Sequence, residues 1–344
     1  MNNEPTTLQQ AIEYFSDAEN CRNYVVQRRW PDGVTCPRCG SAKVSFLPKY
    51  DRWQCATHHP QRQLTLKTGT IFEDSPLPMS KWLSAMWQVV NCKNGVSSHE
   101  VHRAIGVTQK TAWLMDHRIR LALQIGSFEK LSGEVEVDET FMGGLSRNMH
   151  LSKRAKRIHG TGGRDKVPVA GVLERRGEVR TAVIPSRKKN VLQGVVRQHV
   201  APGSAVYSDA LPSYEGLKKD YLHEAIDHAV AYVRDQVHTN GLENFWSLLK
   251  RGIKGTYVSV EPFHLFRYLD EQMFRYNARK LTDAERFSMA VSGIGGRRVT
   301  YNQLTGKCGD IAVEPLLGNR GVEREEFDRQ DKHEEDFSIW LREF

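Results

Sequence analysis

Glu134-Val135-Glu136-Val137-Asp138-Glu139-Thr140-Phe141 alternates polar and apolar side chains, the period-two pattern of a strand with one face buried. Gly143-Gly144 closes it as a turn. Two further strands are expected downstream, Val167 to Leu173 and Val179 to Ile184, split by Arg175-Arg176-Gly177-Glu178 as a hairpin. The pattern then alternates. A helix over about 188–199 leads to a strand, Ala205-Val206-Tyr207-Ser208, and a helix from Ser213 leads to a short strand near 224–227 and a long helix from Asn240. Three strands followed by alternating helix and strand imply an α/β domain with a mixed sheet.

Upstream of this domain the reading is helical. Residues 6–30 form a lead-in with Leu8, Ile12, Phe15 and Cys21 on its apolar face, and further helices are expected over 79–92 and 97–124. Residues 145–166 carry Arg147, Lys153, Arg154, Lys156, Arg157, Arg164 and Lys166 with little apolar content, as a basic loop would. The segment 322–337 is acidic and reads as a tail. The chain of 344 residues is 39% hydrophobic and 26% charged, ordinary for a soluble globular protein. No apolar run is long enough to span a bilayer, and Met1-Asn2-Asn3-Glu4-Pro5 lacks the basic and apolar regions of a signal peptide, so a cytoplasmic protein is expected. A net charge of +8 favours a polyanionic partner.

Six cysteines in a reducing compartment argue against disulfides. Cys36-Pro37-Arg38-Cys39-Gly40 has the spacing of a zinc knuckle, and Cys55-Ala56-Thr57-His58 supplies a second pair. The expected ligands are Cys36, Cys39, Cys55 and His58, with the adjacent His59 as rival for the fourth position. Unmetallated thiols in a loop are the alternative. With four protein ligands the zinc is structural.

Ser98 to Ile105, Gly106-Val107-Thr108 and Gln109 to Leu121 have the outline of a helix-turn-helix, with Ser98 and Thr108 as caps. Gln109, Lys110, Arg118 and Arg120 are placed on the exposed face, where they reach phosphates and base edges. Two core helices joined by a tight turn are the competing reading.

Three carboxylates stand apart by position. Asp138 lies on the alternating strand, Asp209 follows Ala205–Ser208 at the C-terminal edge of a strand, and Glu243 opens a helix. Asn240, Glu243, Ser247 and Lys250 share one face of that helix, while Leu242, Phe245, Trp246 and Leu249 form its buried side. Hard oxygen ligands of this kind hold two Mg²⁺ or Mn²⁺ ions for phosphodiester chemistry, and Lys250 is placed to contact a phosphate.

In order, CPRCG at 36–40, KTGTIFEDSPLPMSKWL at 67–83, VEVDETFMGG at 135–144, VYSDALPSYEGL at 206–217, HTNGLENFWSLLKRGIKGTY at 238–257 and HLFRYLDEQMFRYNAR at 264–279 resemble the DDE-type insertion-sequence transposases with an N-terminal zinc ribbon. The resemblance implies an RNase H-like mixed-sheet catalytic domain over 130–285, preceded by a helical lead-in (1–33), a zinc ribbon (34–70) and a helix-turn-helix region (71–128), and followed by a C-terminal segment (286–344). It implies Asp138 and Asp209 as the first two metal ligands and Glu243 as the third, with Asn240 as rival because some members carry Asn there. The expected partner is double-stranded DNA, both element ends and target, gripped by Gln109, Lys110, Arg118, Lys153, Arg154, Lys156 and Arg157. Joining two ends implies a homo-oligomer in the DNA complex. His58-His59-Pro60 departs from the family's second CxxC. A nuclease that cuts without joining, and a zinc-dependent DNA-binding regulator with an inactive domain, are the alternatives.

Overall fold

The computed structural model describes residues 4–124, 129–144, 150–152, 166–226 and 239–306. Two short helices lead in, α1 (Leu8–Tyr14) and α2 (Ala18–Arg29). Asp17 caps α2 by accepting from the amides of Glu19 and Asn20. Ala11, Phe15, Cys21 and Tyr24 are buried here, whereas Leu8 and Ile12, expected on the apolar face, are exposed. Phe15 and Tyr24 turn toward Phe287 instead. With the break at residues 15–17, the two helices do not share one continuous stripe.

An antiparallel three-stranded sheet follows, β1 (Val44–Leu47), β2 (Arg52–Cys55) and β3 (Gln63–Leu64). Register pairs Phe46 with Trp53 and Trp53 with Leu64. Trp53 packs there against Phe46 and Trp30.

Helix α3 (Met79–Asn91) buries Trp82, Leu83, Met86, Trp87 and Val90. The pair α4 (Ser98–Ile105) and α5 (Gln109–Ala122) is joined through Gly106, whose φ of 62° ends α4 in the left-handed conformation that glycine adopts most readily. Ser97, not Ser98, caps α4, because its side chain and that of Glu100 form a reciprocal capping box. Thr108 caps α5 as expected.

Then come β4 (Glu134–Met142), β5 (Val167–Glu174), β6 (Val179–Val183), α6 (Lys189–His199), β7 (Ala205–Asp209), β8 (Leu222–Ile226), α7 (Asn240–Gly252), α8 (Leu265–Asn277) and α9 (Asp283–Ser292). The sheet order is β6-β5-β4-β7-β8, with β4 antiparallel to β5 and parallel to β7. The helix expected from Ser213 is two 3₁₀ turns, Pro212–Tyr214 and Leu217–Lys219, because Pro212 and Gly216 leave too short a run for an α-helix.

Alternation along the strands sends apolar groups to both sheet faces. Val135, Val137, Val172 and Val206 pack with Leu192 and Val196 of α6. Val169 and Leu173 pack with Leu242, Phe245, Trp246 and Leu249 of α7 and Leu269 of α8. The catalytic region is thus an α/β fold of RNase H-like type, its helices covering both faces of a mixed sheet.

The basic residues Lys153, Arg154, Lys156 and Arg157 and the acidic segment 322–337 lie outside the described residues. Among those described, no helix is long and apolar enough to cross a membrane.

Candidate active site and zinc centre

The parallel ladder between β4 and β7 runs from Glu134↔Ala205 to Val137↔Ser208, so the next residues lie side by side where that ladder stops, Asp138 in the middle of β4, which continues to Met142 against β5, and Asp209 at the C-terminal end of β7. Beyond that point the Glu139 amide has no partner on β7. It donates instead to Asp138 Oδ1 at 2.8 Å. Alternation places Glu139 opposite Asp138, yet one oxygen each from Asp138, Glu139 and Asp209 lies within 4.8 Å of the other two. Glu139 is therefore a site residue that the strand pattern misses. The available signal was an acidic doublet within one strand and a second strand ending in an acid.

Each carboxylate is held. Asp138 Oδ2 accepts from Trp246 Nε1 at 2.9 Å. Glu139 accepts from the Tyr214 hydroxyl at 2.9 Å and pairs with Arg187 at 3.2 Å. Asp209 Oδ1 accepts from the Leu211 amide at 3.2 Å. Burial, then the neighbouring charges of Glu139 and Asp209, push Asp138 up to about 7 despite the Trp246 bond. Burial and Asp209 raise Glu139 too, against the opposing pull of Tyr214 and Arg187. Carboxylates crowded this closely hold protons more tightly, and a divalent cation relieves the same repulsion. Three hard oxygens fit Mg²⁺ or Mn²⁺.

Helix α7 is aimed by its buried side. Glu136, 1% exposed, accepts from the Leu242 amide at 3.0 Å and so satisfies an orphan donor in the first turn of the helix. Trp246 reaches Asp138 by crossing Gly171, the β5 partner of Asp138, where a side chain would collide with the indole. Lys250 is half-buried. Burial lowers its pKa while Asp138 opposes that shift and Lys254 and Lys166 add to it, which puts Lys250 within electrostatic range of Asp138. Glu243 and Asn240 lie exposed on α7, and neither belongs to the three-carboxylate group.

The helix pair departs from expectation at its second half. Arg118 is 6% exposed and donates to the carbonyls of Ile71 and Glu73, and Arg120 is 2% exposed and paired with Glu271 at 2.6 Å. Neither guanidinium faces solvent, which corrects the placement of Arg118 among DNA contacts. The reason is that α5 is enclosed from Met115 to Ala122, and its cations are satisfied by backbone oxygens and a carboxylate from α8. Gln109 is half-buried and donates to Ser98 Oγ at 2.9 Å, while Lys110 is exposed.

In the zinc ribbon, Cys36, Cys39, Cys55 and His59 converge within 4.8 Å. Cys39 Sγ and Cys55 Sγ are 3.7 Å apart, and Cys36 Sγ is 3.5 Å from His59 Nε2. Zn–S bonds of about 2.3 Å and a Zn–N bond of about 2.0–2.1 Å at tetrahedral angles require roughly these separations. His58 is exposed and outside the group, so His59 replaces it as the fourth candidate ligand. The His59 Nδ1–H donates to the Pro60 carbonyl at 2.8 Å, which leaves Nε2 free to ligate. Burial pushes the Cys36 thiol up, but the amides of Arg38 and Cys39 and the thiols of Cys39 and Cys55 outweigh it and bring it down to about 7. The donor set suits zinc.

A mixed sheet of this order, with acids midway along its central strand and at the tip of the parallel strand beside it, defines an RNase H-like catalytic fold. Residues 130–277 match the ISXO2-like transposase domain, and residues 16–57 match the transposase zinc-ribbon domain. A protein in transposable element ISH50 of Halobacterium salinarum is 29% identical over 257 residues, covering 70% of this chain and 84% of that protein. A transposase-like protein of Haemophilus influenzae is 31% identical over 101 residues, covering 29% of this chain and 81% of that one. The chain belongs to the family of transposases with an ISXO2-like domain and a zinc ribbon.

Proposed function

We propose that the chain binds the terminal inverted repeats of its own element, cleaves the DNA strand there and transfers the resulting 3′-hydroxyl to target DNA. The observation that carries this reading is the convergence of Asp138, Glu139 and Asp209 oxygens where the ladder between the parallel strands β4 and β7 stops. These residues would hold Mg²⁺ or Mn²⁺, and two such ions when bound supply charge neutralisation at the phosphate and an activated water or 3′-hydroxyl. Trp246, Tyr214 and Arg187 orient the carboxylates. Lys250 contacts a phosphate of the bound strand. Glu243, with Asn240 as rival, joins the site from the exposed face of α7 once DNA is seated there.

In this reading residues 34–70 and 71–128 engage the ends, with Gln109 and Lys110 at the helix pair. Residues 130–285 carry the chemistry. Lys153, Arg154, Lys156 and Arg157 are assigned to the DNA backbone from sequence alone. Pairing two ends requires at least two copies of the chain in the DNA complex.

The test is cleavage and strand transfer on DNA flanking the source gene with Mg²⁺ or Mn²⁺. Asp209→Asn is expected to retain end binding and to lose cleavage, and unchanged cleavage overturns the site. Running Glu139→Gln beside Glu243→Gln decides which supplies the third carboxylate. Cleavage without joined products makes the protein a nuclease, and end binding without cleavage in either metal makes it a regulator.

A further inference from the structure

Between Val34 and Leu66 the chain carries Arg38, Lys43, Lys49, Arg52 and Arg62 against one carboxylate, Asp51. That carboxylate is paired, because Arg22 of α2, which also meets Glu19 at 3.2 Å, donates to Asp51 Oδ1 at 2.7 Å. The same guanidinium lies 5.0 Å over the Phe46 ring, so α2 braces the β1–β2 hairpin from below. Arg38 donates to the carbonyls of Gln61 and Gln63, Arg62 to that of Cys55, and Arg52 to the Gln63 side-chain oxygen. These bonds fix the cations without cancelling their charge.

The hairpin tip is Pro48-Lys49-Tyr50-Asp51-Arg52, turned by a left-handed Asp51. Tyr50 is 57% exposed there. The Lys49 ammonium and the Arg52 guanidinium stand 5.7 and 5.8 Å from its ring centre. An exposed aromatic between two cations, on a braced hairpin whose sole acid is paired, is the footprint of a nucleic-acid contact.

We infer that the tip of the zinc-ribbon hairpin is a DNA-contact surface, with Lys49 and Arg52 on phosphates of the duplex and Tyr50 against the sugar–base edge between them. It is a surface that positions the ribbon on DNA and does not read sequence. The inference rests on the proposal that this protein binds DNA, and it names a surface outside the carboxylate site.

The experiment measures binding of the full zinc-loaded chain to an element-end duplex and to a scrambled duplex, across a salt series. The double variant Lys49→Ala/Arg52→Ala is expected to weaken binding to both duplexes by about tenfold and to flatten the log–log salt slope by roughly 2, near one unit per lost phosphate contact. Tyr50→Ala, which removes exposed atoms, is expected to weaken binding by about tenfold with the slope unchanged. Zinc content and far-UV dichroism are read in parallel, and should the double variant lose zinc, Tyr50→Ala alone decides. Variants that keep their zinc and bind both duplexes with wild-type affinity and slope overturn the tip assignment, even where Asp209-dependent cleavage is intact. A wild-type chain that binds neither duplex overturns the DNA-binding proposal itself.

Discussion

Gly171→Ala tests whether the indole of Trp246 is wedged between the sheet and the Asp138 carboxylate. A Cβ at position 171 would lie 2.6 Å from Trp246 Cζ2, 2.8 Å from Cη2 and 3.0 Å from Leu242 Cδ2. Ordinary carbon contacts are about 3.5–4.0 Å, so these groups must retreat by roughly 1 Å. The strand cannot move in their place, since residue 171 pairs with Asp138 on one side and Thr181 on the other. Overpacking of this kind costs about 1–3 kcal/mol. Displacing the indole also loses its 2.9 Å bond to Asp138, and a hydrogen bond to a charged group contributes about 1.5–3 kcal/mol. Asp138 is pushed up to about 7 and is only partly charged at neutral pH, so the lower end of that range, about 1.5 kcal/mol, applies, for a total of about 2.5–4.5 kcal/mol. Amide exchange of β5 and α7 measures the local loss without requiring the whole chain to unfold in one step. Trp246→Phe deletes the very atoms the new methyl would strike. The double variant should therefore be less destabilised than the sum of the singles by at least about 1 kcal/mol. Additivity within about 0.5 kcal/mol would refute the wedge.

Two more outcomes follow from geometry and burial. His59→Ala should lose the zinc and the protease resistance of the ribbon, whereas His58→Ala should keep one zinc per chain; the opposite result, by metal analysis, reverses the ligand assignment. His117, His199 and His264 are all depressed by burial first and by nearby cations second (Arg120 and Arg267 beside His117 and His264, Arg180 and Lys130 beside His199), with His199 and His264 brought to about 4. The unfolded chain then binds more protons than the folded one below about pH 6.5, so their stabilising contribution is complete above 6.5 and is lost as pH falls toward 4. For a fully buried histidine the slope approaches about 1.4 kcal/mol per pH unit. Asp116, Asp138 and Asp270, raised by burial to about 8, 7 and 6, act in the opposite sense over this range, so the readout is a difference: lowering the pH from 7.5 to 5 should shift the thermal midpoint of His199→Asn upward relative to the wild type, and identical profiles for the two proteins would count against the assignment.

Much of the catalytic layer was legible because it depends on local periodicity. The alternation of Glu134 to Phe141 specifies a strand with one buried face whatever surrounds it, and Asp209 announces itself at the end of a second apolar run. The cap of α4 departs from the sequence reading, which places it at Ser98, because Ser97 and Glu100 have the capping-box spacing. The sites lost to the sequence are those where distant segments supply the partner. Arg118 and Arg120 look like solvent-facing cations until Ile71, Glu73 and, far downstream, Glu271 are folded around them. His58 and His59 differ by one position in a turn, and only the path of the chain back toward Cys36 and the carbonyl of Pro60 selects between them.

The carboxylate cluster divides along the same line. Sequence alone determined that Asp138 lies on one strand, that Asp209 ends another and that a helix with an acidic, lysine-bearing face follows, because strand and helix periods are properties of neighbouring residues. Which side chains actually meet was decided by the tertiary structure. The parallel register of β4 and β7 sets the two aspartates side by side, and the end of their ladder admits Glu139, whereas the burial of Trp246 over Gly171 turns α7 so that Glu243 remains in solvent. Local pattern specifies a residue's element and face; convergence depends on where a ladder stops and which ring fills the gap.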